Sequence, residues 1–312
     1  MSVSVKDVGV VGRGLVANKD IKYGELITSD TAVIHIPGNL LMWEAGEEIM
    51  RQVKKMNSVE KEEFYKLKRN ISPEADKIEE ETCIFFSNAI TTDDSFRCLF
   101  PCLSVLNHSC DPNSFLTGTV NNSRQLELRA AKYIKEGEEV TVDYILVEGR
   151  FSDKPTRQAM LREGWGLSCN CSLCAGENLD IDQQKQEILK QEIVIIQADM
   201  TAECDQSPET VSWSRLCTLQ SELVQLVMQL MCSQLLLVRE LKSLANLAQL
   251  ARKEDILENT LQNWAMIIEE LGVERWRREF NMVKDKLRKW KQKRKKRENP
   301  TEEEIRQFLW LM

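Results

Sequence analysis

The chain has 312 residues, 42% hydrophobic and 29% charged, with a formal net charge of -7. That length allows a full hydrophobic core and more than one domain, and the composition excludes a largely disordered chain. The acidic balance excludes a surface broadly attractive to nucleic acid, so any such role needs a local basic patch.

Up to Ile36 the apolar residues alternate or form short β-branched runs: Val3, Val5, Val8, Val10 and Val11, then Leu15-Val16, Leu26-Ile27 and Ala32-Val33-Ile34. Turn signals separate them at Gly12-Arg13-Gly14, Lys22-Tyr23-Gly24 and Pro37-Gly38, the pattern of short strands. Read from its residues alone, Gly12-Arg13-Gly14 is a hairpin turn. Two glycines let a backbone approach a ligand, but the third glycine and following helix of a phosphate loop are missing. The first seven residues carry charges where a signal peptide needs its apolar centre, so a cytoplasmic or nuclear protein is expected.

From Trp43 to Ile90 the character changes to Lys, Glu and Met with apolar residues at helical spacing. Two or three helices are expected there, the second starting near Pro73. Cys83 is the only cysteine of this stretch, so it builds no zinc finger by itself.

Leu99 to Ser114 gathers Asn107, His108, Cys110, Asp111 and Asn113 into a turn-rich segment behind an apolar run. A turn with Asn107 and Asp111 bonding their own backbone accounts for that mixture; so does a binding loop built around the Cys and the His. Strand patterns return at 114–120, at 125–131 and at 139–144, with turns at Asn121-Asn122 and Lys135-Glu136-Gly137. Tyr144 falls at the last strand's end, a common place for an amphipathic ring.

Lys154 to Glu163 has a helical pattern ended by Gly164, followed by Cys169-x-Cys171-x2-Cys174. Three thiols within six residues of a reduced protein are a metal-ligand pattern. Tetrahedral zinc needs a fourth ligand from elsewhere, and Cys110 is the candidate whose loop setting suits it.

Beyond Asn178 the apolar spacing is helical to the end, with breakers at Ser207-Pro208, Gly272 and Asn299-Pro300, and a helical bundle is expected. The longest uncharged stretch, Leu223 to Val238, is shorter than the ~20 apolar residues of a membrane span and reads as one buried helix. No membrane partner is expected. Lys284 to Arg297 carries ten Lys or Arg against Asp285. It reads as a solvated helix end, or as an import tag or nucleic-acid patch.

Four motifs in order, Gly12-Arg13-Gly14-Leu15, Leu106-Asn107-His108-Ser109-Cys110-Asp111-Pro112-Asn113, Glu138-Glu139-Val140-Thr141-Val142-Asp143-Tyr144 and Cys169, Cys171 and Cys174, resemble those of the SET domain. That is the protein-lysine methyltransferase fold, and the resemblance is strongest to its SET-and-MYND (SMYD) branch. It covers about the first 178 residues and implies a SET β-fold of short strands at 1–150 with a helical insertion at 41–95 and a zinc-binding post-SET segment at 151–178; with the α-helical C-terminal domain that the apolar spacing gives at 179–312, the expected class is α+β. The resemblance implies S-adenosylmethionine as cofactor, with the backbone of Arg13, Gly14 and Leu15 along it, Asn107 at its amino-acid end and His108 at the adenine. Trp165 and Leu167 count with the cofactor-binding residues and close the lysine channel. Tyr144 becomes the catalytic hydroxyl that orients the amine, and Cys110, Cys169, Cys171 and Cys174 hold a structural zinc.

Three departures stand out, one being a post-SET helix and C-terminal bundle able to cover or shape the substrate cleft, so that the acceptor need not be a histone. The MYND finger that names the branch has no ligands in the Trp43 to Ile90 stretch, and Trp165 and Leu167 stand where members often carry tyrosine and phenylalanine. The expected function is an S-adenosylmethionine-dependent protein-lysine N-methyltransferase acting on a histone or another protein with an accessible lysine, with chromatin as a potential partner. The competing expectation is a catalytically weak SET scaffold that binds protein partners.

Overall fold

A computed structural model describes residues 2–9, 12–67, 78–92, 96–117, 124–145, 149, 151–175, 181–206, 210–230, 234–271, 277–278, 280–282, 284–285 and 288. Pro73, Asn121-Asn122, Ser207-Pro208, Gly272 and Asn299-Pro300 lie outside the described residues, as does the basic run apart from Lys284, Asp285 and Arg288. The chain divides into two compact units, Met1–Leu146 with Arg157–Ala175, and Val147–Thr156 with Gly176–Met312.

The first unit is a set of three small sheets. Strands β1 (Val3–Asp7) and β2 (Arg13–Ala17) form an antiparallel hairpin, with Val5 opposite Leu15 and Asp7 opposite Arg13. Its turn is closed by Val8 N–H to the Gly12 carbonyl and Gly12 N–H to the Gly9 carbonyl, both 2.8 Å. Gly9 and Gly12 take φ of +91° and +88°, which only glycine adopts without strain. The turn therefore ends at Gly12, and Gly14 is a strand residue rather than part of the expected turn.

Strands β3 (Leu26–Thr31), β4 (Ile34–Pro37), β5 (Ile90–Thr91) and β6 (Phe96–Leu99) follow. Between β4 and β5 run three helices, α1 (Met42–Lys55), α2 (Ser58–Tyr65) and α3 (Glu80–Asn88). Helix α2 starts at Asn57, whose side chain accepts from Val59 and Glu60 N–H while Glu60 accepts from Asn57 N–H, a reciprocal cap. Cys83 is buried in α3.

A two-residue strand β7 (Asn107–His108), then β8 (Ser114–Thr117), β9 (Gln125–Ala130) and β10 (Glu139–Val142) complete the sheets. Their orders are β1-β2-β10-β7, β3-β9-β8 and β4-β6-β5. Strict alternation puts Leu126, Leu128 and Ala130 of β9 and Val140 and Val142 of β10 in the core, with Leu15, Ile34, Ile49, Phe85 and Phe100. Strand β10 is antiparallel to β2 and parallel to β7, so with β2 it is one of the two inner strands of its sheet. Tyr144 lies two residues past its end.

Helix α4 (Lys154–Trp165) runs through Gly164, where the sequence pattern places its end. It stops instead at Gly166, with φ +62°, whose N–H bonds the Arg162 carbonyl while Leu167 N–H bonds that of Leu161. A glycine inside the last turn costs only about 1 kcal/mol, whereas the left-handed residue that turns the chain must be nearly free of side chain. A single turn, α5 (Ser172–Ala175), holds Cys174.

The second unit is helical: α6 (Ile181–Cys204), α7 (Trp213–Gln229), α8 (Gln234–Leu250) and α9 (Glu254–Leu271), each packed on the next. The uncharged stretch Leu223 to Val238 is not one buried helix. It spans the end of α7 and the start of α8, because uncharged residues do not report where a helix stops. Among the described residues no helix is long and apolar enough to cross a membrane.

Around β10 the loop after β7 is held by side chains standing in for a strand. The buried Asn113 accepts from Thr141 N–H (2.9 Å) and donates to the Glu139 carbonyl (2.8 Å). Replacing Asn113 with Ala strips both backbone groups of their partner, at a cost of about 2 to 4 kcal/mol. The urea midpoint is expected to fall with an unchanged m-value, and Asn113→Asp, which keeps the acceptor alone, is expected to lie between.

Candidate active site

Neighbouring strands bring the Gly12–Leu15, Leu106–Asn113 and Glu138–Tyr144 motifs together. Leu15 lies opposite Val140 across β2 and β10, and Asn107 and His108 lie beside Thr141 and Val142 across β10 and β7. Asn107 does not bond its own backbone. Its Nδ2 donates to the Arg13 carbonyl (3.1 Å) and to Glu139 Oε1 (2.7 Å), and among the described residues no hydrogen bond engages its Oδ1. The Arg13 side chain reaches away, to the Lys66 carbonyl at the end of α2 (2.5 Å). Asp111 pairs with Lys132 and donates its N–H to Ser109 Oγ. The self-contained turn, the bland alternative for this segment, is therefore not what forms.

Gly14 is bare for a steric reason. A Cβ there would stand 2.5 Å from Glu139 Oε1 and 2.9 Å from Asn107 Nδ2, closer than real Cβ atoms come. The strand consequently offers naked backbone beside the Asn107 amide, a cradle that suits the amino-acid end of a small cofactor. Leu15 turns into the core and is 1% exposed, so only its backbone is available.

His108 faces the other way and its side chain is fully buried. Nδ1 accepts from Tyr144 N–H at 3.0 Å, which places the ring proton on Nε2, and Nε2 stands 3.3 Å from Cys110 Sγ. One imidazole thus links the Tyr144 backbone to the cysteine cluster. The Tyr144 hydroxyl donates to the Leu106 carbonyl. Its ring lies 5.4 Å from that of His108 and 5.5 Å from the Trp165 indole, centroid to centroid, both tilted. Burial, with the Glu139 charge added to it, pushes the Tyr144 phenol up to about 12. The group is therefore a neutral hydroxyl at physiological pH.

Cys110, Cys169, Cys171 and Cys174 converge, with all four sulphurs within 4.8 Å of one another. Cys110 Sγ is 3.9 Å from Cys169 and 3.6 Å from Cys174. A tetrahedron of sulphurs at about 2.3 Å from a zinc ion has edges of about 3.8 Å, so the spacing fits such an ion. Hydrogen bonding from Cys110 holds the Cys171 thiol far below its ordinary value and draws Cys174 down to about 6, while bonding to Cys169 pushes Cys110 up. Trp165, Leu167, Leu161 and Ile145 pack around the group with Tyr144. Gln158 of α4 bonds Cys169 at both backbone positions, Nε2 to its carbonyl (2.7 Å) and Oε1 from its N–H (3.1 Å).

The model of the SET domain family matches residues 12–145. This segment is a SET domain. Over 197 residues the chain is 26% identical to the histone-lysine N-methyltransferase set5 of Schizosaccharomyces pombe, covering 63% of this chain and 57% of that protein. Over 169 residues it is 27% identical to the histone-lysine N-methyltransferase SET5 of Scheffersomyces stipitis, covering 54% of this chain and 33% of that protein. Over 84 residues it is 37% identical to the histone-lysine N-methyltransferase SMYD3 of Mus musculus, covering 27% of this chain and 18% of that protein. The matched regions are less than two thirds of each relative's length.

Glu139, Asn113 and Gln158 do structural work at the site that residue-by-residue reading leaves unassigned. Glu139 and Asn113 stand inside the SET motifs, which was the available signal; Gln158 sits in an ordinary helical pattern and carries none. An alkaline titration of the SET domain tests its aromatic centre. Because the folded phenol of Tyr144 holds its proton to about 12 while an unfolded tyrosine releases it near 10, the unfolded state binds fewer protons in that window. Stability is expected to fall by roughly 2 to 3 kcal/mol as pH rises from about 10 to 12, and that part of the loss should vanish in Tyr144→Phe.

Proposed function

We propose that this SET domain is an S-adenosylmethionine-dependent protein-lysine N-methyltransferase with a structural zinc on Cys110, Cys169, Cys171 and Cys174. The single observation that carries the proposal is the convergence of Tyr144, Asn107 and bare Gly14 backbone around β10. Relatives named as histone-lysine methyltransferases support a protein lysine, on a histone tail or elsewhere, as the acceptor.

When bound, S-adenosylmethionine supplies an electrophilic methyl group on a sulfonium. The residues that would hold it are Asn107, through its uncommitted Oδ1, and the backbone of Arg13 to Leu15 and His108. The acceptor amine must arrive neutral: an ordinary lysine with a pKa of about 10.4 loses its proton to solvent more readily where burial disfavours charge. Tyr144 has its own proton engaged with the Leu106 carbonyl. Its oxygen therefore presents lone pairs, which accept an N–H of the amine and aim the nitrogen lone pair. A neutral phenol held near 12 orients; it does not abstract protons. Trp165 supplies an apolar wall against Tyr144 that keeps water from the amine. A wall intact at this position favours activity over the scaffold alternative.

The zinc would tie the post-SET turn to the Asn107–Cys110 loop, fixing Trp165 and Leu167 against Tyr144. Labelled methyl transfer to a histone and a peptide pool is expected from the intact chain. It should fall by about 100-fold or more in Tyr144→Phe, with S-adenosylhomocysteine binding kept within about threefold. Cofactor binding without transfer to any acceptor would favour the scaffold. Elemental analysis should give about one zinc per chain, and Cys110→Ser or Cys171→Ser should lose most of it; full zinc retention in both variants would overturn the assignment.

A further inference from the structure

We propose that Glu139 is a positioning residue that decides which end of the Asn107 amide is offered to the cofactor. The inference rests on the cofactor assignment above and adds the origin of its selectivity. A side-chain amide has two ends of opposite character: Oδ1 accepts and Nδ2 donates. Nothing in the Asn107 side chain itself selects an orientation.

The neighbours do. Nδ2 lies 3.1 Å from the Arg13 carbonyl, which only accepts, and 2.7 Å from Glu139 Oε1. Flipping the amide would set oxygen against oxygen at both contacts. Of the two, the charge-assisted bond to the carboxylate is the shorter and stronger. With Nδ2 fixed, Oδ1 points away as an acceptor, the group a cationic α-ammonium requires. Gly14 makes room for this contact, because a Cβ there would stand 2.5 Å from Glu139 Oε1 and 2.9 Å from Asn107 Nδ2. The adjacent Glu138 is engaged differently, accepting from Asn113 Nδ2 (3.2 Å) and Lys135 N–H (3.0 Å). The two acids are therefore not interchangeable.

The test is a double-mutant cycle read by calorimetric titration of the full chain with two ligands. S-adenosylhomocysteine carries the amino-acid end; 5′-methylthioadenosine keeps the nucleoside and thioether but lacks it. Glu139→Ala is expected to weaken S-adenosylhomocysteine about tenfold and leave 5′-methylthioadenosine within about twofold. In an Asn107→Ala background the same change should cost less than about twofold, because the group it acts through is gone. Glu139→Gln, whose Oε1 can still accept from Nδ2, should recover most of the affinity.

Equal losses for both ligands, or the same loss with and without Asn107, would mean a merely structural role and overturn the inference. So would unchanged S-adenosylhomocysteine affinity in Glu139→Ala. If the unmodified chain binds S-adenosylhomocysteine no better than 5′-methylthioadenosine, Glu139 has no such role although the nucleoside site stands. If it binds neither, the cofactor assignment itself falls with the inference.

Discussion

The site depends on a parallel pairing only two residues long, Asn107–His108 against Thr141–Val142. So short a parallel ladder has little strength of its own. It is reinforced by bonds from the loop that follows and from the first residue of β8: Ser109 N–H to the Val142 carbonyl, both ends of the Asn113 amide, and Ser114 Oγ to the Thr141 carbonyl. Successive strand residues point to opposite faces. That alternation sends Asn107 toward Gly14 and Glu139 while His108 turns to Tyr144 and Cys110. One short pairing thereby fixes Asn107 with the bare Gly14 backbone, the tyrosine and the cysteine cluster relative to each other.

The electrostatics of the site follow from what is buried there. Tyr144 is partly buried among His108, Trp165 and Ile145, and Glu139 adds a negative charge to that environment. Both effects penalise a phenolate; burial, unlike the Glu139 charge, also disfavours an ammonium brought alongside. A hydroxyl whose proton is already given to Leu106 can then act only as an acceptor. Orientation of a neutral nitrogen, rather than proton transfer, is the chemistry such a group performs.

The cysteine pattern was fully legible because metal-ligand chemistry forces Cys169, Cys171 and Cys174 into close spacing, and only Cys110 had to be brought from afar. Strands β9 and β10 were legible because their inward valines and leucines alternate cleanly. The roles of glycines were not. Gly12 is needed for its positive φ and Gly14 for the space of a missing Cβ, yet the two look alike in sequence. Gly164 and Gly166 present the same ambiguity at the end of α4. The uncharged stretch Leu223 to Val238 misleads because it records burial on two helices. Glu139 was hidden because its partner, Asn107, lies 32 residues away and on another strand.

Asn113 and Gln158 show why long-range polar roles leave so little trace. Each places a side-chain amide against backbone as though it were a peptide unit, donating at one end and accepting at the other. An aspartate or glutamate could fill only the accepting half, so the amide is chemically specified although nothing local requires it. Their positions matter as much as their chemistry. Asn113 locks the loop carrying Asn107 and Cys110 to β10, and Gln158 locks Cys169 to the helix that ends in Trp165. The two halves of the cysteine cluster are thus each fastened to a regular element before any metal joins them. A metal ion on those four sulphurs would then act as the last link in a closed ring of contacts, running from β10 through Cys110 and Cys169 to Trp165 and back to Tyr144.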